Sequence, residues 1–369
     1  MIIGIPKEIK MHEYRVGLTP QGAKMLTQSG HKVIVETRAG DAIGFSDQDY
    51  QNSGAEIIQQ AGDIFEQSAL IIKVKEPQEA ECRMLSKGQT LFTYLHLAAD
   101  PKQAELLLAS GATCIAYETI TDDNDRLPLL QPMSEIAGRM SIQSGAHHLE
   151  NTQGGSGVLL SGAFGVASAQ VLVLGGGVVG MNAAKVALGM GADVTILNRS
   201  IAERLTNFQQ QHNTQLTVNL SSQANIEHSL KIADLVIGAA LVAGASAPRL
   251  ITRDMLKLMK KGTVLVDVSI DQGGCFETSK MTTHDKPTYV IDDIIHYCVG
   301  NMPGVVAQTA TLALTNATLP YVVELANKGI QKALLGNSNL GNGLNIYQGK
   351  VIHKAVAESL GYQYNSVSF

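Results

Sequence analysis

Apolar residues in this chain gather in short continuous runs, separated by longer stretches in which they recur at helical spacing. Over the first 130 or so residues, Ile2–Ile5, Lys32–Glu36, 70–75, 90–95 and 113–118 read as strands, because unbroken apolar runs bounded by charges and turn residues suit strands covered on both faces. Helices are predicted between them. Thr19-Pro20 sets a capping hydroxyl before a proline whose fixed φ suits the first helical position, and Ser46 with Asp49 has the form of a capping box. A second series follows, with strands at 171–174, 193–197, 234–239 and 263–268, a helix at 178–190, and 289–291 as the strand that closes the sheet. A helix over 131–149 leads into a glycine-rich passage, 154–162, where the chain is expected to cross between domains. Beyond Pro303 the pattern predicts a long helix, Ala307–Lys328, and a shorter one, Lys354–Leu360. That tail is too short for a core of its own and is expected to pack on the first domain.

The fold class is therefore α/β: two doubly wound Rossmann-like domains, the second inserted in the first. The expected division is 1–130 plus 304–369 against 131–303. At 369 residues two domains are the natural number. The 36 glycines suit many tight strand-to-helix turns, and 17% charged residues with 45% hydrophobic ones exclude a disordered chain. A net charge of −5 gives no general attraction to nucleic acid or to an anionic membrane. Cys82, Cys114, Cys275 and Cys298 show no paired spacing, so neither a disulfide framework nor a metal site is expected. His147 and His148 lack ligand spacing and are read as structural. The N-terminus meets Pro6 and Lys7 too early for a signal peptide, and no apolar run reaches membrane length, so a cytoplasmic location is expected.

Gly175-Gly176-Gly177-Val178-Val179-Gly180 is a G-x-G-x-x-G between a predicted strand and a predicted helix, which makes the second, inserted domain a dinucleotide-binding domain. Gly175 serves the tight turn, Gly177 lets backbone amides approach a pyrophosphate, and Gly180 admits close packing of helix on sheet. At the end of the next strand, where an acidic residue would bond the adenosine ribose, stands Asn198-Arg199-Ser200. The cofactor is thus NAD or NADP, and the choice is open.

Several ordered stretches carry a further resemblance: Gly4-Ile5-Pro6-Lys7-Glu8, Arg15-Val16-Gly17-Leu18-Thr19-Pro20, Lys73-Val74-Lys75-Glu76-Pro77, Tyr94-Leu95-His96, Gln131-Pro132-Met133-Ser134-Glu135-Ile136-Ala137-Gly138, Ile270-Asp271-Gln272-Gly273-Gly274 and Gly300-Asn301-Met302-Pro303-Gly304. With them the chain resembles the alanine dehydrogenase family over nearly its whole length. The resemblance implies reversible oxidative deamination of L-alanine to pyruvate and ammonia with a nicotinamide dinucleotide, and an assembly, commonly a hexamer. It places a carboxylate clamp on Arg15 and Lys75, the acid/base histidine on His96 and a catalytic aspartate on Asp271. Tyr94, Met133 and Ser134 match positions lining the substrate and nicotinamide pocket, Asn301 and Met302 the loop over the nicotinamide, and Ser221 and Leu241 the adenosine side. Val178 and Val179 open the helix beneath the pyrophosphate.

Those residue types suit that chemistry. A 2-amino acid needs cations for its carboxylate, and hydrolysis of an imine needs a group that cycles protons near neutral pH. Taken singly, each position has another reading: Arg15 as a loop surface charge, His96 as a half-buried structural histidine, Asp271 as a turn aspartate before Gly273. Lys75 sits at a strand end, where open α/β sheets place ligands. Two departures from the family pattern are Ser156, where an arginine is common, and Ala307-Gln308 in place of a frequent Pro-Arg. Neither touches the catalytic set. The alternatives are the soluble dinucleotide-binding component of a proton-translocating transhydrogenase and a non-catalytic dinucleotide-binding regulator.

Overall fold

The computed structural model describes residues 1–212, 215–241 and 247–367. They form two units, residues 1–133 with 304–369, and residues 134–303. The first unit starts as an alternation of β1 (Ile2–Ile5), α1 (Pro20–Gln28), β2 (Lys32–Glu36), α2 (Asp47–Asn52), β3 (Glu56–Ile58), α3 (Ala61–Gln67), β4 (Leu70–Ile72), α4 (Glu79–Cys82), β5 (Thr90–Thr93), α5 (Pro101–Ser110) and β6 (Thr113–Ala116). The helix starts follow their local chemistry. Thr19 Oγ1 accepts from Gly22 N at 3.1 Å with Pro20 next to it, and Ser46 and Asp49 close a reciprocal capping box. Every residue of β4, β5 and β6 is buried, as their unbroken apolar runs require.

These strands stop earlier than the apolar pattern. The run through 75 ends its regular ladder at Ile72, because Glu8 intervenes: its carboxylate accepts from Val74 N at 2.7 Å and from Lys75 N at 3.4 Å. The same carboxylate pairs with the wholly buried Lys73, whose Nζ also donates to Glu81 at 2.7 Å. The run through 118 ends at Ala116 and turns into a short 3-10 helix, Tyr117–Thr119.

In the second unit, α6 (Gln131–His148) precedes β7 (Gln170–Leu174), α7 (Val178–Gly189), β8 (Asp193–Asn198), α8 (Glu203–His212), β9 (Leu216–Leu220), α9 (Gln223–Leu230), β10 (Leu235–Gly238), β11 (Val264–Asp267), β12 (Thr288–Ile291) and β13 (Ile294–Tyr297). The sheet order is β12-β13-β11-β10-β7-β8-β9, parallel except for the antiparallel β12–β13 pair. Strand order reverses between β7 and β10, which puts the ligand-binding crevice of such a sheet at the carboxyl ends of those strands. The strand expected at 289–291 is present, but as the outer arm of a hairpin with β13. The passage 154–162 lies wholly within this unit and is not a domain crossing. Gly155 N and Gly157 N bond back to Glu150 O and Leu149 O, and a side chain at Gly155 would lie 2.3 Å from His148 O, so these glycines make a tight turn off the end of α6.

The chain returns to the first unit with α10 (Ala307–Lys328), α11 (Ile330–Gly336), α12 (Ser338–Gly341), β14 (Leu344–Tyr347), β15 (Lys350–Val351) and α13 (Lys354–Leu360). β14 joins β6 antiparallel and completes the order β15-β14-β6-β5-β4-β1-β2-β3. Ile346, Val351, Val356 and Ala357 enter the same core as Leu91, Leu107 and Cys114. The tail therefore does pack on the first unit. Among the described residues, no helix is long and apolar enough to cross a membrane.

Candidate active site

In the first unit the candidate residues gather just past the carboxyl ends of neighbouring strands. Arg15 is not a surface charge: it is 2% exposed, and Glu13 grips one edge of its guanidinium, Nε to Oε1 at 2.7 Å and Nη2 to Oε2 at 2.6 Å. Nη1 points to the Met133 sulfur at 3.0 Å. Burial opposes the charge on Glu13, and the Arg15 hydrogen bonds and charge outweigh it, so its carboxyl titrates below the usual range. Lys75 is pushed the other way. Burial lowers its pKa and the Arg15 and Lys10 charges add to the effect, against Glu76. Two cations thus lie in electrostatic reach of each other in a largely desolvated place, an arrangement that an added carboxylate would relieve.

Tyr94 is buried, donates to Leu129 O at 2.5 Å, and stacks on His96 with ring centroids 5.7 Å apart and planes 7° from parallel. His96 adopts φ 49°, in the left-handed region that non-glycine residues seldom occupy. Glu118 holds it there: the carboxylate accepts from Leu95 N at 3.1 Å and His96 N at 2.5 Å, and lies 3.9 Å from His96 Nδ1. The imidazole itself is 44% exposed, so it meets whatever enters this face. Glu13 and Glu118 were not found from sequence. The one signal for Glu118 was its place at the end of the apolar run beside the strand that carries His96.

The second unit holds a cavity of about 520 Å³ lined by Ser134, the Gly175–Gly177 turn, Val178, Val179, Asn198, Arg199, Ser221 and Leu241. The three fingerprint glycines do three different things. Gly175 has φ 109°, and Gly180 packs so closely that a Cβ there would lie 1.8 Å from Gly175 O. Among the described residues, Gly177 has open space where its side chain would be, and it precedes α7 without any side-chain cap on the helix N–H groups. Bare helix N–H groups beside open space fit a pyrophosphate. Asn198 serves the turn, accepting from Gly176 N at 2.9 Å and donating to Ser200 O at 2.7 Å. Arg204, missed in the sequence because nothing in the fingerprint marks it, donates to Gly176 O at 2.8 Å and lines the same cavity beside Arg199 and Ser200. Among the described residues the lining contains two guanidiniums and no carboxylate.

Asp271 lies outside that lining, exposed on a 3-10 turn, Ile270–Gln272, after β11. Its Oδ1 would be 3.0 Å from a side chain at Gly300, so it rests over the Gly300-Asn301 turn, where Asn301 has φ 57° and Met302 is buried. The structure thus assembles Arg15, Lys75, Tyr94, His96 and Met133 in one unit. In the other it assembles the glycine turn with Ser134, Asn198, Arg199, Ser221 and Leu241, and Asp271 with Asn301.

Two family models match the chain: "Alanine dehydrogenase/PNT, N-terminal domain" over residues 4–137 and "Alanine dehydrogenase/PNT, C-terminal domain" over residues 141–354. A curated alanine dehydrogenase of Halomonas elongata is 57% identical, covering 99% of this chain and 98% of its own. One of Mycolicibacterium smegmatis is 51% identical over 98% of this chain and 97% of its own. A solved L-alanine dehydrogenase superposes with a TM-score of 0.95 at 48% identity, covering 98% of this chain and 99% of its own. A transhydrogenase from Sinorhizobium meliloti shares the fold, with a TM-score of 0.81 at 23% identity over 96% of this chain and 100% of its own.

Proposed function

The chain belongs to the alanine dehydrogenase/PNT family, and from that premise we propose that it oxidatively deaminates L-alanine to pyruvate and ammonia, reversibly, with a nicotinamide dinucleotide. The observation that carries the reading is a pair of cations on one face of the first unit: the buried Arg15, braced by Glu13, with the half-buried Lys75 in electrostatic reach of it. One small carboxylate placed there pairs with both. Exchange of hydride between two dinucleotides would need no such clamp, so the pair favours an amino-acid substrate over the transhydrogenase reading.

The residues take separate tasks. Arg15 and Lys75 fix the substrate carboxylate and so orient the α-carbon; misplacement by about 1 Å can lower turnover about 10²-fold. A bound dinucleotide would supply the acceptor for the hydride that leaves the α-carbon. His96, exposed and oriented by Glu118, takes a proton from the water that adds to the resulting imine carbon and returns one to the departing ammonia. Asp271 is the second acid/base group, stabilising positive charge as it develops on nitrogen. Gly177, Val178 and Val179 would hold the pyrophosphate, and Ser134, Ser221 and Leu241, which line the same cavity, would meet the rest of the dinucleotide.

For the cofactor, we infer that NADP is used alongside NAD. A carboxylate at position 198 would repel a 2′-phosphate; here Asn198 is neutral and Arg199, Ser200 and Arg204 offer charge-assisted and hydroxyl hydrogen bonds. Steady-state alanine oxidation with each cofactor tests both statements. We expect turnover with alanine and none with glutamate, whose side-chain carboxylate would be buried without a partner. His96→Ala should lower kcat by about 10²–10⁴-fold, and Arg199→Ala should weaken NADP more than NAD. No alanine turnover with either cofactor sinks the proposal; no turnover with NADP at any concentration sinks its cofactor part alone.

A further inference from the structure

β11 ends in Asp267, a carboxylate with no solvent exposure and, among the described residues, no ion pair. Among the described residues its oxygens are satisfied by one loop. Oδ1 accepts from Ser269 N at 3.1 Å, and Oδ2 accepts from Cys275 N at 2.8 Å and from the Ser279 hydroxyl, with Phe276 N donating as well. The donors flank Asp271 on both sides. Between them the loop closes on itself, with Gln272 N and Gly274 N bonded to Ser269 O at 2.9 and 3.1 Å and Gly273 N to Ile270 O at 3.0 Å. The backbone leaves room for the carboxylate at two glycines: a side chain at Gly274 would lie 2.7 Å from Oδ2 and one at Gly238 would lie 3.1 Å from Oδ1. Gly273 and Gly274 turn the loop through φ 95° and 82°.

Burying a carboxylate without a countercharge is unfavourable unless fixed N–H and O–H dipoles replace water. The loop's dipoles offset part of that cost, burial still holding the Asp267 carboxyl above its usual range, and the dependence runs both ways, since this side chain is what gathers the loop's two ends. Asp271 is exposed, so burial does not set its position; the turn that carries it does. We propose that Asp267 is a positioning residue for the reaction, its carboxylate gathering residues 269–279 so that Asp271 is held where its acid/base work requires. This rests on the reading of Asp271 as an acid/base group.

The experiment is a mutant cycle on the full chain. Asp267→Asn keeps the size of the side chain but turns an amide NH₂ toward donors that need an acceptor. We expect it to lower kcat for alanine oxidation by about 10–10²-fold, the scale of a misplacement near 1 Å, while KM for alanine and the dinucleotide dissociation constant move less than about threefold. Ser279→Ala removes one donor and spares the backbone donors, and should lower kcat by about three- to tenfold, the scale of one hydrogen bond's ordinary net contribution. In an Asp271→Asn background either substitution should cost less than about twofold more, because coupled residues are non-additive. Wild-type kcat in folded Asp267→Asn and Ser279→Ala overturns the proposal, as does an equal loss with and without Asp271. If Asp267→Asn does not fold, the Ser279→Ala cycle decides alone. Wild-type kcat in Asp271→Asn removes the premise, a result distinct from either.

Discussion

A lysine beside an arginine loses its proton more readily than one in water, and at Lys75 burial is the larger cause, with the Arg15 and Lys10 charges adding to it. Its pKa lies below the ordinary value of 10.5, so the sign of the consequence is fixed. Only the ammonium pairs with a carboxylate, and the fraction protonated falls as pH rises through the lowered pKa. Pyruvate should therefore bind the enzyme with its reduced cofactor progressively more weakly at alkaline pH, with the loss beginning before 10.5. Arginine stays charged throughout that range, so Lys75→Arg should flatten the profile; fluorescence titration of pyruvate from pH 7 to 10 measures both. A wild-type profile as flat as that of Lys75→Arg would mean that Lys75 does not meet the carboxylate. At this scale the sequence motifs brought out Arg15, Lys75 and His96. They did not bring out Glu13, whose partner Arg15 is only two positions on but whose burial no local pattern announces, or Glu118, which bonds backbone N–H groups 22 and 23 positions away, beyond any spacing rule.

Elements were legible where one physical signal dominated. The parallel strands at the centre of each sheet are unbroken apolar runs, and the helix starts at Thr19 and Ser46 carry their caps in sequence. The missed strands were weaker signals: β9 is an edge strand with alternating burial, and β13 carries a buried histidine, His296, which interrupts its apolar run while bonding Thr278 at 2.8 Å. The glycine turn allows the fold and the binding role of one element to be separated. At Gly180 an alanine must push α7 away from Gly175 O, a strain of about 1–3 kcal/mol by the scale of overpacked cores. Gly180→Ala should therefore lower the melting temperature and weaken dinucleotide binding together. At Gly177 the backbone has φ −72° and the side-chain direction is open, so alanine fits the fold but fills the approach to the helix N–H groups. Gly177→Ala should leave the melting temperature within a degree or two of wild type and still weaken the dinucleotide. Unaltered binding in Gly177→Ala, read by quenching or enhancement of nicotinamide fluorescence, would place the pyrophosphate elsewhere.

At the scale of the whole chain, the first unit is interrupted: it is left at Met133 and resumed at Gly304. Much of this was visible in the sequence, because a tail with one long and one short helix cannot bury its apolar faces alone. The hairpin it carries was not visible. β14 and β15 are too brief to announce themselves, and β14 is defined by the edge of β6 that it covers. Ending the chain after Gly341 would uncover that edge and remove Ile346, Val351, Val356 and Ala357 from the first core. Removing a large aliphatic side chain from a core costs about 2–5 kcal/mol, so losing several exceeds much of the roughly 5–15 kcal/mol that holds a domain folded. The exposed edge adds a template for aggregation. Among the described residues, the hydrophobic cluster of the second unit that runs from Leu172 to Ile294 includes none from the removed segment. The shortened chain should therefore lose alanine turnover and the melting transition of the first unit, while dinucleotide binding and a second transition, raised by added dinucleotide, persist. Calorimetry with and without cofactor distinguishes the outcomes: full turnover would show the hairpin dispensable, and loss of both transitions would show that the second unit does not hold its fold without the first.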